Sequence, residues 1–195
     1  MHKDLPKIYY FIDDLKIDEI KFLNKNIAVI YRNYKKKIDE STLTLIKNFC
    51  RKQKIKFYIA GNLKIARKLR LDGVYIPAFM KSLNYKNYNV SKNFTILGSA
   101  HNQIEAKIKE KQGCDLIFIA PTFPVKKSKK YLGTSKFNLI TLNKKIKKIA
   151  LGGINNSNIN KLNLLNIYGF AGISWVKKNG PSKLRPFLNC LNKLT

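Results

Sequence analysis

Short apolar runs rich in Ile, Val, Tyr and Phe recur along the chain, each bounded by glycine or polar residues and followed by a stretch with helical spacing. The runs at 8–12, 27–31, 56–59, 73–76, 94–98, 116–120, 146–151 and 169–175 are nearly continuous in apolar character, as strands buried on both faces require. Helical spacing fills the gaps. It appears at 18–23 through Ile20 and Leu23, from Ser41 or Thr42 through Leu45, Ile46 and Phe49, at 63–69, at 103–111 through Ile104 and Ile108, and at 137–142. A further helix runs from Asn156 or Ser157 to near Leu165, and a last one follows Pro181 with Leu184, Phe187, Leu188 and Leu191 on one face. Only 77–93 breaks the rhythm, and its SLNYKNYNVSKN reads as a polar loop or weak helix. Strands and helices alternating in this way predict an α/β fold, a (β/α)8 barrel, in preference to an open doubly wound sheet. A single domain over residues 1–195 is expected, with several helices cut to one or two turns, because such barrels need roughly 200 residues.

The most informative stretch is 146–175, IKKIALGGINNSNINKLNLLNIYGFAGISW, read as strand, glycine turn, helix and strand. In a barrel the loops after strands seven and eight often hold a phosphate, so Gly152 and Gly153 are candidate phosphate binders, supported by Ser174, Lys177 and Lys178 beyond strand eight. A tight turn that lets helix and strand pack is the alternative. Arg32 follows strand two directly, where its planar guanidinium could hold a second phosphate or simply be solvated. Lys126, Lys127, Lys129 and Lys130 lie in the long loop after strand six, and one of them could swing over a diphosphate. His101, just past Ser99 at the end of strand five, could serve as an acid or base or could cap the next helix. Asp13 and Asp14 are the only carboxylates clearly at strand C-termini, whereas Asp72 and Asp115 precede strands four and six. A metal site is poorly provided for, and no metal ligand is assigned.

Composition changes this picture less than its extremes suggest. The net charge of +28 points on its face to nucleic acid or another anion, yet all but five of the 39 basic residues are Lys, spread over nearly every segment. That distribution argues against a dedicated nucleic-acid surface. Cys50, Cys114 and Cys190 have neither metal-ligand nor redox spacing, so reduced thiols and a cytoplasmic setting are expected. The N-terminal segment enters a strand at once without the apolar run of a signal peptide, and no span reaches membrane-crossing length without charges.

Several motifs, taken in order, resemble one family along nearly the whole chain: thiamine phosphate synthase together with the TenI-type thiazole tautomerases. IYYFID resembles its first strand ending in Asp, Tyr31 and Arg32 its arginine-bearing second strand end, and DGVYI at 72–76 its DGVHL. GSAH at 98–101 is similar to the Ser-x-His segment after strand five, and APTFP at 120–124 to the GPIFPT turn. Gly133 fits a later glycine, and GGI with GFAGIS resembles the closing signature. The resemblance implies an enzyme that joins an aminopyrimidine methyl diphosphate to a thiazole phosphate, with small phosphorylated molecules as its partners and a homo-oligomer as an open alternative. It also implies site roles: Arg32 on the diphosphate, Ser99 at the reacting pyrimidine or diphosphate, Lys129 as a further diphosphate partner, and Gly152 and Gly153 on the thiazole phosphate.

The departures from the family are specific. Ala60 and Gly61 stand where it has an Asn-Asp pair, and Met80 stands where it has a second metal-binding Asp, so both expected magnesium carboxylates are absent. Ile30, Tyr34, Tyr75 and Val125 replace the family's Gln, Lys, His and Thr. A diphosphate would then depend on lysines, or on Mg2+ carried by the substrate itself. Two rivals to the synthase follow: a thiazole phosphate tautomerase using His101 as proton shuttle, and a non-catalytic barrel that binds a thiazole or thiamine phosphate.

Overall fold

The computed structural model describes residues 5–35, 37–82, 85, 91–126, 130–142, 146–172 and 176. Within them the chain closes a barrel of eight parallel strands: β1 (Ile8–Ile12), β2 (Ile27–Tyr31), β3 (Phe57–Ala60), β4 (Gly73–Ile76), β5 (Thr95–Ala100), β6 (Leu116–Ile119), β7 (Lys147–Leu151) and β8 (Gly169–Gly172). Each strand pairs with its sequence neighbour, and β1 closes on β8 with Ile8 opposite Phe170 and Tyr10 opposite Gly172. The helices are α1 (Glu40–Lys52), α2 (Leu63–Lys68), α3 (Gln103–Lys111) and α4 (Gly133–Ile140).

Alternation along the strands sorts the side chains into two cores. Outward residues such as Ile8, Ile12, Val29, Ile59 and Ile117 pack under the helices. Inward ones fill the barrel, and five of these are aromatic: Tyr9, Phe11, Tyr58, Tyr75 and Phe118. Phe11, Tyr75 and Phe118 contact one another edge to face, with ring centroids 5.3 to 5.8 Å apart. Bulky rings rather than β-branched side chains thus plug the axis. Among the described residues the Tyr9 hydroxyl finds no hydrogen-bond partner.

Three of the expected helices start at side-chain caps. Asp39 caps α1 through Ser41 N at 3.0 Å, Asn62 caps α2 through Ile65 N, and Asn102 caps α3 through Glu105 N, both at 2.9 Å. The helix expected at 18–23 is instead a single 3-10 turn, Ile17–Glu19, between a polar loop and the two asparagines that precede β2. After β7 the expected α-helix is a 3-10 helix, Ile159–Leu164. Asparagine side chains explain that outcome: Asn155 Oδ1 accepts from Ser157 N and Oγ, and Asn158 Oδ1 accepts from Asn155 N, so local bonds replace the first α-turn. Strand five runs on to Ala100, placing Ser99 within the strand, and α4 begins at Gly133, before the expected 137. The helix expected after Pro181, Cys190 and residues 173–175 lie outside the described residues.

Asp72 and Asp115 lie at the strand N-termini, as their positions in sequence imply. Each carboxylate accepts from a backbone N–H at the start of a neighbouring strand, Asp72 from Phe57 N at 2.9 Å and Asp115 from Ile96 N at 2.8 Å. These acids tie neighbouring strands together at the end opposite the strand C-termini.

Candidate active site

At the strand C-termini a cavity of about 550 Å³ opens between the ends of β2, β4 and β5. Arg32, Tyr34, Tyr75, Lys81, Ser99 and His101 all line it, with the loop after β4 as one wall. Arg32 is set by its backbone: its N–H donates to Ile12 O at 2.8 Å, continuing the β1–β2 ladder by one residue and turning the side chain inward. The guanidinium then lies over the Phe11 ring at 4.9 Å from its centroid and 3.7 Å from Asp13 Oδ1. A cation held on an aromatic face keeps its hydrogen-bonding edge available and arrives with reduced conformational freedom.

Ser99 is buried at the floor and bonds the Tyr75 hydroxyl. Burial pushes the Tyr75 phenol up to about 12, against a smaller downward pull from that bond and from Arg32, so the phenol is neutral at ordinary pH. His101 is anchored rather than free: its Nδ1 is 3.0 Å from Glu105 Oε2, and the same oxygen accepts from His101 N at 2.7 Å. With Asn102 capping Glu105 N, this makes a reciprocal box around the start of α3, so His101 contributes to the cap while lining the cavity.

The wall opposite is apolar. Tyr34 and Phe79 meet edge to face at 5.5 Å, and both remain substantially exposed, at 51% and 68%. Met80 Sδ and Tyr34 Cε1 would lie 3.5 and 3.7 Å from a Cβ at Gly61. The two positions where the family resemblance calls for metal carboxylates, Gly61 and Met80, therefore share a sulfur- and ring-lined surface. Among the described residues no group of three or more His, Cys, Asp or Glu side chains could hold a metal ion. Of the acids near the mouth, Asp13 lies beside Arg32 and Glu105 beside His101. Gly61 and Met80 themselves offer no oxygen ligand to a magnesium ion.

Gly152 and Gly153 lie outside this cavity's lining, in the turn after β7. Both have positive φ, +91° and +73°. A Cβ on Gly153 would fall 2.4 Å from Phe123 O and 2.5 Å from Pro124 O, and one on Gly152 would fall 3.2 Å from Pro121. The turn is thus pressed against the loop that follows β6, tied by Thr122 N to Leu151 O at 2.9 Å and Phe123 N to Gly152 O at 3.1 Å. This close approach suits glycine at both positions. Lys129 and Ser174, the remaining expected binders, lie outside the described residues, as do Lys127, Lys177 and Lys178.

Of the expected site residues, Arg32, Ser99 and His101 converge on one cavity. Lys81, Phe79 and Glu105 join them without having been anticipated. Glu105 had a readable signal in its i+4 spacing from His101. Phe79 and Lys81 sit in the stretch where helical rhythm fails, which marks an unusual βα loop but not its direction.

A closed parallel barrel with a cationic, hydroxyl-bearing cavity at its strand C-termini defines a (β/α)8 barrel of the kind that handles small anionic molecules. The family model described as thiamine monophosphate synthase matches residues 22–176, and the chain belongs to that family, which places it among enzymes. A thiamine-phosphate synthase of Pelagibacter ubique is 31% identical over 96% of this chain and 96% of its own length. One from Prochlorococcus marinus is 30% identical over 73% of this chain, which spans only 42% of that longer protein. Among solved structures, thiamine phosphate pyrophosphorylase from Pyrococcus furiosus superposes with a TM-score of 0.70 at 21% identity, covering 96% of this chain and 94% of that one, a likeness of fold. No helix among the described residues is long and apolar enough to cross a membrane.

Proposed function

We propose that this protein joins an aminopyrimidine methyl diphosphate to a thiazole phosphate, giving thiamine phosphate and diphosphate. The observation that carries the reading is the convergence of Arg32, Ser99 and His101 in one cavity at the mouth of a barrel from this family. In this reaction the bond from the pyrimidine methyl carbon to the diphosphate oxygen breaks, the electron pair leaves with diphosphate, and the thiazole nitrogen bonds to that carbon. Charge accumulates on the departing oxygens, so fixed cations there lower the barrier. Arg32, held over Phe11, and Lys81, on the facing loop, supply that charge. Ser99 and the neutral Tyr75 hydroxyl form a polar floor, and the Tyr34–Phe79 pair offers an aromatic edge to the pyrimidine ring.

No step is assigned to a protein-bound metal. Magnesium that takes part arrives with the diphosphate. The buried free thiols of Cys50 and Cys114 suit a reducing cytoplasm. Purified protein incubated with both precursors, with and without magnesium, tests the reading by chromatographic detection of thiamine phosphate. Product formation that falls at least tenfold in Arg32→Ala is the expected outcome. No product together with no calorimetric binding of either precursor overturns it.

A further inference from the structure

Lys109 is fully buried on α3, at 0% exposure, although it belongs to one of the most polar helices of the chain. Its stem passes β5 at Gly98, where a Cβ would fall 3.0 Å from Lys109 Cδ and 2.7 Å from Cys114 Sγ. Any side chain at that strand position would close the passage. The ammonium emerges against the loop after β4 and donates to Pro77 O at 2.7 Å, Met80 O at 2.7 Å and Gln112 Oε1 at 3.0 Å. Three donors meet three acceptors, which is the condition for tolerating a buried charge. Gln112, itself fully buried, extends the arrangement by donating from Nε2 to Met80 O at 3.0 Å and to Ser82 O.

Residues 77–82 of that loop form no helix, and they carry Pro77, Ala78, Phe79 and Lys81 into the cavity lining. Its backbone carbonyls converge on the ammonium as they would on a small cation. We propose that Lys109 is a positioning residue, an internal cation that folds residues 77–82 into the cavity wall and so sets how Phe79 and Lys81 face an anionic, ring-bearing ligand. This rests on the proposed site for its functional consequence, though not for the ordering of the loop. Burial lowers the Lys109 pKa to about 8 while Cys114 and Glu105 act in the opposite direction, so the ammonium is the main form at neutral pH. A Lys-to-Met change keeps the stem and removes the charge, leaving Pro77 O without its ammonium donor.

Amide hydrogen exchange on the ligand-free protein tests the ordering directly. In Lys109→Met, amides of residues 78–82 should exchange at least tenfold faster while those of β1 and β6 are unchanged. If that variant does not purify folded, Gln112→Leu, which removes one acceptor and both side-chain bonds to the loop, should show the same localised change. Unchanged exchange at 78–82 in the folded variant overturns the proposal. Calorimetry with inorganic diphosphate separates the two readings. Wild-type binding that weakens about tenfold in the variant supports both, whereas a loosened loop in a protein that never binds diphosphate supports the positioning role and counts against the proposed reaction.

Discussion

The two sides of the barrel mouth are built on opposite principles. Around β2, β4 and β5 the ends of the strands border open space, with Arg32, Lys81, Ser99 and His101 lining it. Around β6 and β7 the corresponding loops are pressed together until only glycine fits, with carbonyl oxygens 2.4 and 2.5 Å from where a Gly153 Cβ would be. Glycines in a βα turn therefore report a close approach of backbone to something. Here that neighbour is the protein's own loop, and the same pair would read identically in sequence whether the neighbour were a ligand or a chain segment.

Substitutions can sharpen this contrast, because the open side should answer in activity and the packed side in stability. The largest effect is expected at Arg32. Arg32→Ala should lower turnover of the two precursors by about 10²–10³-fold while urea denaturation shifts by less than about 1 kcal/mol. A large stability loss with unchanged turnover would reverse the roles of the two sides. Gly153→Ala forces a side chain into a left-handed backbone and against Phe123 O, so a loss of about 3 kcal/mol or more is expected by the same denaturation measurement. Gly152→Ala, with its nearest neighbour at 3.2 Å, should cost less, about 1–2 kcal/mol. If both glycine variants keep full stability but lose precursor binding, the turn binds ligand after all and the contrast fails.

The smallest effect concerns pH at the floor of the open side. Burial holds the folded Tyr75 pKa at about 12, above the ordinary 10 of the unfolded chain. The folded state thus retains a proton that the unfolded state gives up, and the resulting stability is complete below pH 10 and is lost as pH rises from 10 through 12. Tyr75→Phe should flatten that alkaline limb in a pH series of urea melts, with little change at pH 7. An unaltered limb would assign it entirely to the other buried phenols, among them Tyr10, which burial also raises to about 12.

Much of the architecture was legible because it depends on local pattern. Eight apolar runs gave eight strands, and the one segment that lost helical rhythm, 77–93, opens with residues 77–81, which wall the cavity. Arg32, Ser99 and His101 could be placed because a residue at a strand's end in a barrel has few places to go. The 3-10 helix after β7 was misjudged where Asn155 and Asn158 offered bonds that compete with an α-turn, a choice periodicity does not register. Lys109 was invisible for a different reason. In sequence it is one lysine of many on a polar helix, and only the gap at Gly98, eleven positions earlier and on another element, turns it inward.

The aromatic plug gives the barrel a floor. Phe11, Tyr75 and Phe118 stop any solute a short way below the rim, so the molecule is a cup and not a tunnel. Whatever enters must leave by the way it came.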